Sequence, residues 1–195
     1  MLAPSAAQAS KRSSAIAGAA VARHLAANHG QKELLLVSRQ GPSAPEAEGL
    51  QQELVAHGGR PRVVACDLRQ GASVAAMLAE AERSGPPITA VFHIAGNVSW
   101  TPIVNLTDEE LARELGAKVA GARALHTYFK DRRLDAFVCF GSVAGIWGVG
   151  TQAAYVAGNA YLDALARHRM AQGHSALSIG WGGWSAVGRA ALPEI

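Results

Sequence analysis

The chain of 195 residues predicts an α/β fold in which a mostly parallel sheet is wound on both faces by helices. Three observations carry that prediction. Short apolar runs alternate along the chain with longer helical patterns. The runs are continuously apolar rather than alternating, as strands covered on both faces should be. Proline and glycine mark the joins, as in RQGPSAP and RSGPPIT.

Taken in order, a helical pattern over about 15–28 is followed by the run ELLLVSR at 33–39. A second helix over 45–57 leads to RVVACDL at 62–68, and a third over 71–84 to ITAVFHIAG at 88–96. A long helix over 107–129 precedes DAFVCFGS at 135–142, and a last helix over 153–172 precedes ALSIGWG at 176–182. Strands joined by helices imply right-handed crossovers, hence a Rossmann-like doubly wound sheet. Such a sheet should open with a central strand before its first helix. MLAPSAAQASKR holds no run of β-branched or large apolar residues. The expectation is therefore an irregular segment over 1–14 and a partial domain over 15–195, with the first and last strands missing or degenerate.

Composition excludes several functions. Hydrophobic residues make up 49% and charged residues 17%, as in an ordinary globular domain. The net charge of +3 comes from scattered basic residues, with no stripe interleaved with aromatics, so no nucleic-acid partner is expected. Cys66 and Cys139 lie inside apolar runs without CxxC spacing and read as buried, reduced thiols. The seven histidines form no ligand set, so no metal is expected. No stretch is long and apolar enough for a membrane span, and the N-terminus fails as a signal peptide. The expected location is the cytoplasm.

Ligands in open α/β sheets bind beyond the carboxyl ends of the strands. Gly96, Ser142 and Gly182 fall there, as does Arg39, which is either a receptor for the 2′-phosphate of NADP or a solvated loop residue. Asp67 either bonds an adenine edge or caps the helix that follows. Tyr155 and Asn159 are one helical turn apart in GVGTQAAYVAGNAYLDAL.

The segments LLLVSRQGP, VACDL, VFHIAG, AKVAGARALH, FGSVAGIWG, AAYVAGNAYLDALARHR and SIGWGGW stand in this order between Ala15 and Trp184. In them the chain resembles the ketoreductase domains of modular polyketide synthases, within the short-chain dehydrogenase/reductase superfamily. The resemblance implies NADPH-dependent reduction of a β-ketoacyl thioester carried on an acyl carrier protein, beside other synthase domains. It implies a catalytic group of Ser142, Tyr155, Lys118 and Asn159. Singly, the last three read as ordinary helix residues and Ser142 as a cap. A phenol of pKa near 10 needs a nearby cation to favour its ionised form. The position of the ammonium matters, not the helix that supplies it. Ser38, Arg39, Asp67, Leu68, Ala95, Gly96 and Gly18 are the residues the resemblance assigns to the cofactor.

Two features resemble subclass markers. Val98, Ser99 and Trp100 stand where B-type domains carry Leu-Asp-Asp. Trp147 stands eight places before the tyrosine, as in A-type domains, which set the L-configured hydroxyl; Gln152 suits the A-type branch without inverted α-substituents. The weak place is the phosphate loop. The family's Thr-Gly-Gly-Thr-Gly-x-Leu-Gly falls on Lys11 to Gly18, and only Gly18 matches. Ala15 and Ser13 replace glycines that allow backbone to approach a pyrophosphate. Two other functions therefore stand beside the enzyme: a non-catalytic relic with impaired cofactor binding, and a free-standing reductase of a small ketone.

Overall fold

The computed structural model describes residues 6–98 and 100–183. Ser99, in the B-type comparison, and Trp184, at the end of the resemblance, lie outside the described residues, as do 1–5 and 185–195.

Helix α1 spans Ala6–His29, so it begins well before the expected boundary at Ala15, and residues 6–14 are helical rather than irregular. Alanine has the highest helix propensity, and between Ala6 and Ala17 there is neither proline nor glycine to break the run. Then come β1 (Glu33–Ser38), a short turn of 3-10 helix (Gly41–Ser43), α2 (Ala47–Ala56), β2 (Arg60–Ala65) and α3 (Gly71–Arg83). They are followed by β3 (Ala90–His93), a second 3-10 turn (Ile103–Asn105) and α4 (Asp108–Leu115). A π-helical turn over Gly116–Ala120 joins α4 to α5 (Gly121–Phe129). The chain continues through β4 (Ala136–Ser142), α6 (Ala144–Trp147), α7 (Ala153–Ala171) and β5 (Leu177–Trp181).

All strand pairings are parallel, as expected. β1 runs beside β2 from Glu33↔Arg60 to Ser38↔Ala65. β4 lies between β3, in register from Ala90↔Ala136 to His93↔Cys139, and β5, from Val138↔Leu177 to Ser142↔Trp181. Among the described residues the strands thus form a two-stranded and a three-stranded sheet, not one continuous sheet. The cause is local. The residues that would supply a central strand are alanine-rich, and from Ala6 onward they are helical.

The main core joins Val74 and Leu78 of α3, Leu125 and Phe129 of α5, Phe137 and Cys139 of β4, and Leu162 and Leu165 of α7. On α7 the buried residues Ala154, Gly158, Leu162, Leu165 and Arg169 recur at helical spacing, which turns one stripe onto the sheet. Leu35 and Val37 of β1 pack against the same core, while a smaller cluster joins Ala22 and Ala26 of α1 to Leu54 of α2, with Leu34 and Leu36 beside it. Cys66 and Cys139 are buried free thiols, as read from the sequence.

The long helix expected over 107–129 is one helical body in three parts. It starts at a capping box: Thr107 Oγ1 accepts from Glu110 N–H while the Glu110 carboxylate accepts from Thr107 N–H. The π-turn in its middle carries Lys118.

Candidate active site

Each member of the expected group is carried by a regular element. β4 delivers Ser142 at its carboxyl end, and α7 carries Tyr155 in its first turn and Asn159 in the next. The π-turn delivers Lys118. Lys118 is only 5% exposed, and its ammonium donates to the Phe140 carbonyl at 3.0 Å, two residues before Ser142. The same nitrogen lies 5.5 Å from the centre of the Tyr155 ring. Asn159 is fully buried, and its amide nitrogen donates to the Tyr155 carbonyl at 2.7 Å. Its Oδ1 is buried with no donor on it among the described residues. Ser142 Oγ accepts from Ala144 N–H at 3.2 Å, which leaves the hydroxyl proton available for a ligand.

Glycines make this packing possible. A Cβ at Gly96 would sit 3.0 Å from Lys118 Cε, and one at Gly158 would sit 3.3 Å from Lys118 Cδ. The lysine stem thus runs in a sheath between the loop after β3 and α7. Burial pushes the Lys118 ammonium down to about 8, with Cys139 and Asp163 opposing the shift. The Cys139 thiol below it is pushed up to about 12 by burial. A lysine that titrates near 8 still carries its charge at neutral pH, next to a phenol that would profit from it.

The residues expected at the cofactor fall into two groups. Ala95 and Gly96 follow β3 and lie half-buried against the site. Ser38 Oγ accepts from Gly41 N–H at 2.9 Å, and Gly41 takes a left-handed φ of +52° in a place where a Cβ would collide with the backbone of Ala65. This holds the β1 turn tightly over β2. Arg39 is exposed in that turn. Asp67 is gripped by Arg69, whose Nε lies 2.9 Å from Oδ2, and Asp67 Oδ1 also accepts from Arg69 N–H at 3.1 Å. Those hydrogen bonds hold the Asp67 carboxyl below its usual range, and the carboxylate does not cap α3. Leu68 packs into the main core.

Gly18 is placed differently from the sequence expectation. It lies inside α1, and the whole stretch from Lys11 to Gly18 is helical. Backbone N–H groups in a helix interior are committed to the helix ladder, whereas a phosphate needs a helix N-terminus or a turn. Lys118 and Asn159 Oδ1 thus offer polar groups that a cofactor could use, whereas Gly18, inside a helix, does not fit a phosphate. Trp147 ends α6 and is 80% exposed at the rim, and Gln152, immediately before α7, is buried.

His93, which the sequence reading did not single out, also belongs to this centre. It ends β3, is 2% exposed, and reaches the backbone of the π-turn. A histidine inside an otherwise apolar strand run was the signal that could have found it. Among the described residues no group of side chains could hold a metal, and no helix is long and apolar enough to cross a membrane.

Comparison with known proteins shows the family of the chain. The model of the KR domain family matches residues 15–186. The chain belongs to the KR domain family. This KR domain is 44% identical over 169 residues to a mycoketide-CoA synthase of Mycobacterium tuberculosis, an alignment covering 87% of the chain and 4% of that protein. It is 44% identical over 162 residues to the pikromycin polyketide synthase component PikAIII of Streptomyces venezuelae, covering 83% of the chain and 10% of that protein. A ketoreductase from the first module of phoslactomycin biosynthesis in Streptomyces sp. HK803 superposes with a TM-score of 0.83 at 42% identity, covering 91% of the chain and 40% of that structure. An A-type ketoreductase from a modular polyketide synthase superposes with a TM-score of 0.82 at 44% identity, covering 91% and 37%. The chain thus spans well under half the length of the ketoreductases it matches, and a small part of the synthases.

Proposed function

We propose that this KR domain reduces the ketone of a β-ketoacyl thioester to the β-hydroxyacyl thioester, with NADPH as reductant. The observation that supports it is the buried Lys118 ammonium, 5.5 Å from the Tyr155 ring and tied to the carbonyl of Phe140. NADPH, when bound, supplies the hydride to the carbonyl carbon. Tyr155 O–H gives its proton to the carbonyl oxygen, and Ser142 O–H donates a hydrogen bond to the same oxygen. The Lys118 charge stabilises the phenolate that remains. Asn159, its backbone-facing amide already bonded, offers Oδ1 to a water or to the lysine during proton return. The reading extends to an acyl carrier protein as the carrier of the substrate, further synthase domains as neighbours and a cytoplasmic setting; the similarity to polyketide synthases supports it. Trp147 and Gln152 make it A-type, setting an L-configured hydroxyl without inversion of the α-substituent.

A second reading has its own observation: α1 runs unbroken through Lys11 to Gly18, where a phosphate loop would lie. In that reading the catalytic group is present, but the chain holds no cofactor. Titrating the full chain with NADPH by fluorescence separates the two. Saturable binding supports the reductase, and its absence leaves the second reading. If binding occurs, Tyr155→Phe should lower reduction of a β-ketoacyl thioester surrogate by about 100-fold or more, with NADPH affinity nearly unchanged. Unaltered turnover in that variant would refute the assignment of Tyr155. Reduction of simple small ketones in preference to the thioester would point instead to a free-standing reductase.

A further inference from the structure

We propose that His93 is the positioning residue for Lys118, because its imidazole holds open the π-turn that aims the ammonium at Tyr155. The inference rests on the reading of Lys118 as the ammonium that serves the tyrosine. An imidazole as deeply buried as His93 needs a hydrogen-bond partner to offset its lost hydration. It finds one in Lys118 O, 3.2 Å from Nε2. A carbonyl oxygen only accepts, so Nε2 carries the proton and Nδ1 is left without one, in keeping with the absence of any partner on Nδ1 among the described residues. The turn it reaches is no ordinary helix. Gly121 N–H bonds to Gly116 O, five residues back, and also to Lys118 O. Lys118 O thus receives one bond along the helix and a second from His93.

The imidazole also acts as a wedge. A Cβ on Gly121 would sit 3.1 Å from His93 Cε1 and 3.2 Å from Leu68 Cβ, so the ring and Leu68 lie directly against the turn. A side chain inserted beside a helix ladder is one of the recognised causes of such a deviation. If the turn closed to a regular α-helix, one residue would leave the widened loop. Residues on one side of it would then rotate by about 100° around the axis relative to the other side. Such a rotation would carry the Lys118 stem away from the space that the missing side chains of Gly96 and Gly158 leave for it. Burial, joined by the Lys118 charge, pushes the His93 imidazole down to about 4, so near neutral pH the ring is an uncharged donor that does not compete with the ammonium.

The test follows Lys118 itself and needs neither cofactor nor substrate. In the full chain, the rate of acetylation by acetic anhydride is measured residue by residue by mass spectrometry across the pH range in which Lys118 titrates. Beyond His93, the groups facing this amine are Cys139 on β4 and Tyr155 and Asp163 on α7, all left unchanged. The parent should label at Lys118 at least tenfold more slowly than at the exposed Lys32 and Lys130, with half-titration near 8. His93→Phe keeps the ring but removes the donor. It should speed Lys118 labelling by about tenfold or more and move its titration towards the ordinary lysine value. His93→Gln, whose amide nitrogen can stand where Nε2 stood, should restore the parent behaviour. A folded His93→Phe with the parent labelling and titration overturns the proposal. Should His93→Phe fail to fold, nitrogen NMR of the parent decides. An Nε2–H tautomer that does not titrate around neutral pH supports the proposal, and an Nδ1–H tautomer or an ordinary histidine titration overturns it. Failure of NADPH to bind would defeat the functional reading while leaving these outcomes intact.

Discussion

The half of the domain built around β4, with β3 and β5 on either side, has a more deeply buried centre than the half built on β1 and β2. Phe137 to Gly141 of β4 are all buried, whereas Leu34 to Val37 of β1 are only half-buried. The first half takes Lys118, His93 and Asn159 into its interior. The second keeps its charges outside, where Arg23 pairs with Glu53 and Arg60 with Glu33 on the surface. Burying a charge is tolerable only where the surrounding groups are held in place to satisfy it. The proposed catalytic group therefore depends on the tight half, while the expected cofactor phosphates would depend on the loose one. In this chain Lys118, Tyr155 and Asn159 meet in the first half, whereas the stretch expected to be a phosphate loop is helical.

The largest expected effect probes that separation directly. Phe137 is fully buried in the main core and carries the Arg169 guanidinium 4.2 Å from its ring centre. Phe137→Ala should cost about 3–5 kcal/mol and lower the urea midpoint of the whole chain. Leu54→Ala empties a place in the smaller cluster, where its neighbours are alanines and half-buried leucines, and should cost about 2 kcal/mol. Hydrogen exchange should then show the loss confined to α1, α2, β1 and β2. Equal loss of protection in α7 would mean that the two sheets unfold as one unit, and the comparison would fall.

Next in size is the effect of the buried ammonium. Its folded value of about 8 lies below the ordinary 10.5, so the unfolded chain binds the proton more tightly. The folded state is therefore penalised below about pH 8, and stability should rise with pH until about 10.5, where both states have lost the proton. Lys118→Met removes the penalty but leaves the Phe140 carbonyl without its donor. The net expectation at neutral pH is a gain of about 2 kcal/mol together with loss of the proposed reductase activity. Denaturation of parent and variant at pH 7 and pH 10 checks it, because the difference should shrink at the higher pH. A destabilised variant at pH 7 would show that the hydrogen bond outweighs the desolvation.

How much of this was legible beforehand follows the same division. The strand runs lie within a few residues of their expected places because each is a continuous apolar stretch closed by a breaker, and α2, α3 and α7 follow for the same reason. Ser142, Tyr155, Lys118 and Asn159 were nominated by the order and spacing of the family-like segments, and the structure places Lys118 beside the Tyr155 ring and bonds Asn159 to the Tyr155 carbonyl. The π-turn was not, since nothing in AKVAGARALH distinguishes an opened turn from a closed one. It exists because a histidine on a distant strand presses on it. The early start of α1 was missed for the opposite reason. Expectation of a loop overrode a local sequence that favours helix throughout.

The smallest effect asks whether acid attacks both halves alike. Glu82, at the end of α3, receives the Arg132 guanidinium at 2.6 and 2.8 Å, the Tyr128 hydroxyl at 2.9 Å and the Ile88 N–H at 3.0 Å. Arg132 foremost, then Ile88 N–H and the other donors, hold the Glu82 carboxyl down to about 2 against an ordinary 4.5. A depressed acid stabilises the fold above its ordinary value and loses that contribution as pH falls towards the folded value. Because Arg132 is partly open to solvent, the contribution is about 1 kcal/mol. Glu82→Gln should be less stable than the parent by that amount at pH 7, and the two should converge as pH falls from about 4.5 towards 2. In the looser half the comparable carboxylate is Glu53, whose pairing with Arg23 is exposed and screened. Acid should therefore loosen the junction of α3 and α5 before it affects α1 and α2. Hydrogen exchange that opens α1 and α2 first on acidification would show that thin packing, not carboxylate pairing, sets the acid limit of this domain.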